Sequence, residues 1–247
     1  MSEQEFNVPV PVLKYPHWRV NIRPGSYEPN LIPTLKDCYD VIEQAKVRLR
    51  GWDYPHLSHR QNERAQGTNW VACWSDSQGQ FEYWRFYQSA QFLHLFSVRE
   101  ATEPAWREQL GREARSHFSH LTEIDWSQVP GCISFVNTLY RITEIFEFAA
   151  RLAQRGVYEG LVSIRIDIKK IKGFVLMAGF DRIWTDYYAA SEEELGKTWQ
   201  IASTDLISAS AEHSLAATSW FLERFGWLEP SIDVLRKDQG KFLKREL

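Results

Sequence analysis

Phe81-Glu82-Tyr83-Trp84-Arg85-Phe86-Tyr87-Gln88 is dense in aromatic residues and holds neither glycine nor proline, the composition of a strand. Alternate residues of a strand point to opposite faces. That sets Phe81, Tyr83, Arg85 and Tyr87 against Glu82, Trp84, Phe86 and Gln88. Both sets carry aromatics, so the strand is either covered on both sides or shows one aromatic face to a ligand. Trp70–Trp74 precedes it across the turn signal Asp76-Ser77-Gln78-Gly79, and Gln91–Val98 follows it after Ser89-Ala90. Three such runs joined by tight turns read as an antiparallel meander.

Upstream, residues 1–16 hold Pro9, Pro11 and Pro16 without a clear period and read as an extended arm. His17–Arg23 is a short strand ended by Pro24-Gly25. Thr34, with Asp37 three residues on, caps a helix whose stripe runs Leu35, Cys38, Ile42, Ala45, Leu49 and which Gly51 ends. Downstream, Pro104 opens a helix reaching about residue 121. Phe135, Leu139, Ile142, Phe146, Ala149 and Ala153 define another, stopped by Gly156. Val162, Ile164, Ile166 and Ile168 alternate with Ser163, Arg165, Asp167 and Lys169, a strand with one wet face. Phe174–Phe180 and Arg182–Tyr188 read as two more strands, Glu192-Glu193-Glu194 as a loop or helix start, residues 204–225 as a long helix, and the basic tail as a short one.

The predicted fold is α+β: an arm over 1–16, then one domain over 17–247 in which two antiparallel three-stranded meanders pack against long helices. Each half, 17–125 and 126–247, reads as helix, Arg-Gly step, meander, helix (Arg50-Gly51, then Arg155-Gly156), which suggests a pseudo-repeat of two α-β-β-β-α units.

A chain of 247 residues with 44% apolar and 25% charged residues can bury a core without disulfides or metal. Cys38, Cys73 and Cys132 are widely spaced and form no CxxC pair, which argues against a disulfide framework or a zinc knuckle. No basic-then-apolar leader opens the sequence and no apolar run approaches the ~20 residues that span a bilayer. The expectation is a cytoplasmic protein with no membrane partner. A net charge of −3 excludes a general duplex coat. Residues 14–64 are locally basic, with nine basic against six acidic side chains, although solvated surface charge accounts for such a patch.

No phosphate-binding glycine loop, HExxH or GxSxG is present, so no cofactor is expected. The pairs His56/His59 and His117/His120 have the i, i+3 spacing of metal ligands, but no third and fourth ligands accompany them; surface or interfacial histidine is the simpler reading, and no metal is assigned. Arg112 and His117 match a loose Arg-x4-His spacing found in helical ribonucleases, with arginine on phosphate and histidine moving a proton. Against it, His117 lies on the apolar stripe. Asp167-Ile168-Lys169 has the acid-x-lysine pattern of restriction-type nucleases, for which Asp181 is a candidate second acid. An alternating wet strand face explains the same residues. The distinctive feature is the cluster Trp52, Tyr54, Trp70, Trp74, Tyr83, Trp84, Arg85 and Tyr87. Aromatics with interleaved arginine on a sheet stack single-stranded bases or anchor protein interfaces, although most of eleven tryptophans belong in a core.

Arg50-Gly51-Trp52-Asp53-Tyr54-Pro55-His56, Glu82–Phe92 and the ending Leu222-Glu223-Arg224-Phe225-Gly226-Trp227 resemble segments of bacterial proteins that join a Schlafen-type, AlbA-like DNA-binding and ATP-binding domain to a region of this kind. The resemblance covers most of the chain but not the AlbA-like domain, so nucleotide binding does not carry over. It implies a prokaryotic nucleic-acid or defence context. The expected function is a non-catalytic recognition module of a bacterial accessory or defence-type protein. It would bind nucleic acid (single-stranded favoured) or a partner protein through Trp52, Tyr54, His56, Trp84, Arg85 and Tyr87. The alternatives are a nuclease using Arg112/His117 or Asp167/Lys169, and a structural subunit of a larger assembly.

Overall fold

The computed structural model describes residues 8–77, 79–178 and 186–246. Its strands are β1 (His17–Pro24), β2 (Arg64–Gln66), β3 (Trp70–Ser77), β4 (Gln80–Tyr87), β5 (Phe92–Ser97), β6 (Cys132–Ser134), β7 (Leu161–Lys169), β8 (Val175–Met177) and β9 (Glu194–Ala202). Its helices are α1 (Leu35–Ala45), α2 (Arg99–Thr102), α3 (Pro104–His117), α4 (Phe135–Gln154), α5 (Ser203–Arg224) and α6 (Ile232–Lys244). Seven strands form one antiparallel sheet in the order β2-β3-β4-β5-β1-β7-β9. The α+β reading holds, and so does the first meander, β3-β4-β5.

The second meander is corrected. β7 leaves the strand direction at Lys170 (φ 61), and β8 pairs in parallel with β6 in a separate two-stranded ribbon. The antiparallel neighbour of β7 is instead β9, in the stretch read as a loop or helix start. Residues 179–185, most of the supposed third strand, lie outside the described residues, and Asp186–Tyr188 form no strand. The two halves therefore do not each own a sheet. β1 lies between β5 of one half and β7 of the other, pairing Arg19 with both Leu95 and Asp167.

Strand parity decides where the core sits. Trp18, Val20 and Ile22 of β1, Phe92 and Phe96 of β5, Trp84 and Phe86 of β4, and Ile164, Ile166 and Ile168 of β7 face one way and are buried. They join one apolar cluster with Cys38 and Ile42 of α1, Leu139 and Phe146 of α4, Leu215 and Phe221 of α5 and Phe242 of α6. Among the described residues, the opposite face carries no α-helix, only the 3-10 turn Pro11–Lys14 of the arm. The arm lies on it: Val10 and Val12 pack on Ala72, Tyr83 and Leu95, and Tyr15 stacks on Phe81 at 5.2 Å.

Side-chain caps set the starts of α1 and α4. The Thr34 hydroxyl accepts from the Asp37 amide at 3.1 Å, and that of Ser134 accepts from Asn137 at 3.2 Å, each satisfying an otherwise orphaned donor. α1 stops at Ala45, short of Gly51, because Val47 exchanges backbone bonds with Tyr54 at 2.7 and 2.9 Å. That bridge swings Trp52, Tyr54 and His56 under β4. No helix among the described residues is long and apolar enough to cross a membrane.

Candidate nucleic-acid interface

The face of the sheet without α-helices is built by alternation, and the arm covers its centre at Ala72, Tyr83 and Leu95. On β4, Tyr83, Arg85 and Tyr87 point to it; opposite them on β3 stand Trp74, Ala72 and Trp70. Ala72 faces Arg85 directly and is too small to fill its place. The arginine side chain lies over the diagonal neighbour, and its guanidinium carbon sits 4.0 Å from the Trp70 ring centroid, a cation–π stack. Arg85 Nε donates to the Tyr83 hydroxyl at 2.9 Å and Nη1 to the Tyr87 hydroxyl at 3.4 Å. Burial raises the Tyr83 hydroxyl pKa, with Arg85 opposing it, so the phenol stays neutral and accepts.

The same face continues across the next strands through Leu93, Asn21 and Arg165, and in a second row through Leu95, Arg19 and Asp167. Gln91 donates to Asn21 at 3.0 Å. Arg23 stands beside Ser163. Trp70, Arg85, Tyr87 and Arg19 are half-buried and Arg23 and Arg165 exposed, so aromatic rings and guanidinium groups border the arm on one side of the sheet.

The residues singled out from sequence divide between the faces. Arg85 and Tyr87 lie on the one without α-helices. Trp84 is on the helix-covered face and fully buried, and Tyr54 is 1% exposed; neither can touch a ligand, which corrects their expected role. Trp52, Tyr54, His56 and Trp84 converge instead around the buried carboxylate of Glu82. Trp52 Nε1 donates to Glu82 at 3.2 Å, the His56 amide at 2.8 Å, and His94 Nε2 lies at 2.9 Å. Trp84 Nε1 donates to the His56 carbonyl at 2.7 Å, and the half-buried Trp52 and His56 rings stack at 4.0 Å. Burial opposes charge on Glu82, but the charge and hydrogen bond of His94 and the His56 amide outweigh it and bring its pKa down to about 2.

Next to this cluster α4 buries Glu144 completely. It takes Arg50 through both oxygens at 3.0 and 2.8 Å and Arg141 at 3.2 Å. Arg50 also donates to Asn137, which donates to Glu100. These charges are matched within the fold and pin α4 to the segment after α1.

The nuclease constellations do not assemble. Arg112 and His117 are both on α3, five residues and therefore about 140° apart around the helix. Arg112 pairs with Glu108 at 2.9 Å, while the half-buried His117 ring meets Phe118 edge-on at 6.1 Å. Asp167 is 2% exposed and held by Arg165 at 2.7 Å; burial, ahead of that arginine's opposing pull, raises its pKa. Lys169 pairs with Glu194 at 3.3 Å, and Asp181 lies outside the described residues. His59 and His120 are exposed. Among the described residues no group of three or more His, Cys, Asp or Glu side chains could hold a metal ion.

Trp70, part of the aromatic cluster but not of the six residues expected to bind, is the ring on which Arg85 stacks. Its parity with Arg85 across a two-residue offset is the signal, once the register of β3 on β4 is known. No family model, curated protein or solved structure matches the chain.

Proposed function

We propose that the protein is a non-catalytic recognition module that binds single-stranded nucleic acid on the face of its sheet that carries no α-helix, beside the arm. The observation that supports this most is Arg85, stacked on Trp70 at 4.0 Å and tethered by the Tyr83 and Tyr87 hydroxyls, with Arg19, Arg23 and Arg165 on the same face. Flat π surfaces stack bases without regard to sequence, and neighbouring guanidiniums meet phosphates. The overall charge of −3 keeps the contact local. Salt dependence should be shallow, with a log–log slope of roughly −2 for about three phosphates on a single strand. Of the run that resembles bacterial DNA-linked regions, Tyr83, Arg85 and Tyr87 point to this face, consistent with an accessory or defence role.

The test is tryptophan fluorescence during titration with oligo-dT and oligo-rU at two salt concentrations, followed by a gel of the oligonucleotides. Salt-sensitive quenching, intact oligonucleotide and at least tenfold weaker binding in Arg85→Ala and Trp70→Ala are expected. Absence of binding at low salt, or cleavage of the strand, would overturn the proposal.

A further inference from the structure

The largest cleft described lies away from the sheet face, between α3 and the segment leading into β6, with a volume of about 560 Å³. That is the size of small-molecule sites. Arg107, Gly111 and Arg115 line it from α3, with Trp126 also in its lining. Residues 107, 111 and 115 step by four and share one stripe of the helix.

Two features point to an anionic occupant, and a third adds a flat surface beside it. First, the guanidiniums of Arg107 and Arg115 are exposed and carry no hydrogen-bond or ion-pair partner among the described residues. The one acid in the cleft, Glu108, is paired with Arg112. Most other arginines of the fold are engaged, as Arg50, Arg99, Arg141 and Arg165 show. Second, glycine is a poor helix former, yet Gly111 sits inside α3. Its own packing does not demand it: a Cβ there would meet only Arg115 Nη1, at an ordinary 3.6 Å. The Arg115 guanidinium lies over this glycine, which lets it lie close to the helix on the side of Arg107. Third, Trp126 lines the cleft with a half-buried ring, stacked with Phe118 at 6.1 Å. The thiol that reaches the cleft, Cys132, is no nucleophile at neutral pH, since burial pushes it up to about 12.

We infer that this cleft binds a diphosphate-bearing small molecule, its phosphates held between the Arg107 and Arg115 guanidiniums. The two arginines begin roughly 12 Å apart along the helix axis and their long side chains close over a bridging group. Forked guanidinium donors match phosphate oxygens better than a point charge does. A free diphosphate and a nucleoside diphosphate share this chemistry; Trp126 adds a stacking surface for the base of the second.

Isothermal titration of the full chain with pyrophosphate, ADP and adenosine separates these. Pyrophosphate and ADP should bind and adenosine should not, and ADP tighter than pyrophosphate assigns Trp126 to the base. Arg107→Ala with Arg115→Ala should weaken binding at least tenfold. Gly111→Leu should do the same while leaving the melting temperature unchanged or higher, an effect that no loss of folding mimics. Arg85→Ala, on the separate sheet face, should leave the affinity as it is, so that this site and the nucleic-acid reading succeed or fail separately. No heat with pyrophosphate or ADP at millimolar concentration would overturn the inference. So would adenosine binding as well as ADP, or full affinity in the α3 variants.

Discussion

Glu82 and His94 meet diagonally across the β4–β5 ladder, carboxylate to ring nitrogen at 2.9 Å, on the helix-covered face and shielded from solvent. Burial disfavours the Glu82 charge, and His94 with the His56 amide reverses that, lowering the pKa from 4.5 to about 2. A depressed carboxylate stabilises the fold above its ordinary pKa, and that contribution is lost as the pH falls through the folded value. Urea denaturation at a series of pH values should show stability dropping between pH 4.5 and about 2, by roughly 3 kcal/mol from this group. Glu82→Gln should be less stable at neutral pH and flatter across that window. Equal slopes in the two proteins would remove Glu82 from the account.

Arg50 and Arg141 both donate to the Glu144 carboxylate. Truncating one partner of a buried ion pair costs about 3–5 kcal/mol, because the remaining charge stays desolvated. Glu144→Ala is expected to fall in that range by chemical denaturation. A loss below about 1 kcal/mol, the scale of an exposed pair, would mean that water replaces the carboxylate.

Gly196 stands directly opposite Asp167 on the β7–β9 ladder. A Cβ at 196 would collide with Asp167 Oδ1 and approach Arg165 Nη2 at 3.3 Å. Gly196→Ala should therefore destabilise by about 1–3 kcal/mol, the cost of overpacking. Asp167→Ala in the same chain should return most of it. Simple additivity of the two substitutions in a double-mutant cycle would show that the aspartate is not what excludes a side chain there.

Tyr87 offers a ring beside the Arg85–Trp70 stack and a hydroxyl that accepts from Arg85 at 3.4 Å. Base stacking on one aromatic is worth about 1–3 kcal/mol. Tyr87→Ala should weaken oligonucleotide binding about tenfold on that scale, whereas Tyr87→Phe should stay within a few-fold of wild type. Equal losses by fluorescence titration would assign the effect to the hydroxyl and not to stacking.

Elements specified by neighbours in sequence were legible: the Thr34 cap, the apolar stripe of α4 and the isoleucine alternation of β7. Those specified by distant partners were not. α1 ends early because Val47 finds Tyr54, and β8 leaves the sheet because it finds β6. β9 was hidden by Lys197, which occupies an inward position and sets its ammonium 5.6 and 5.5 Å from the Trp199 and Trp220 rings. At the site, alternation separated Arg85 and Tyr87 from Trp84 correctly. It could not say which side the helices would cover, because both sides of β4 are aromatic.

The central position of β1 has a consequence for biosynthesis. His17–Pro24 needs β5 on one side and β7 on the other, and β7 leaves the ribosome about 140 residues after β1, counting from the register of Ile22 with Ile164. Until then one edge of the nascent sheet stays open, the kind of edge that recruits other chains. A truncation before Leu161 should yield an aggregating fragment, and the chain cannot be divided near its midpoint into two independently soluble pieces.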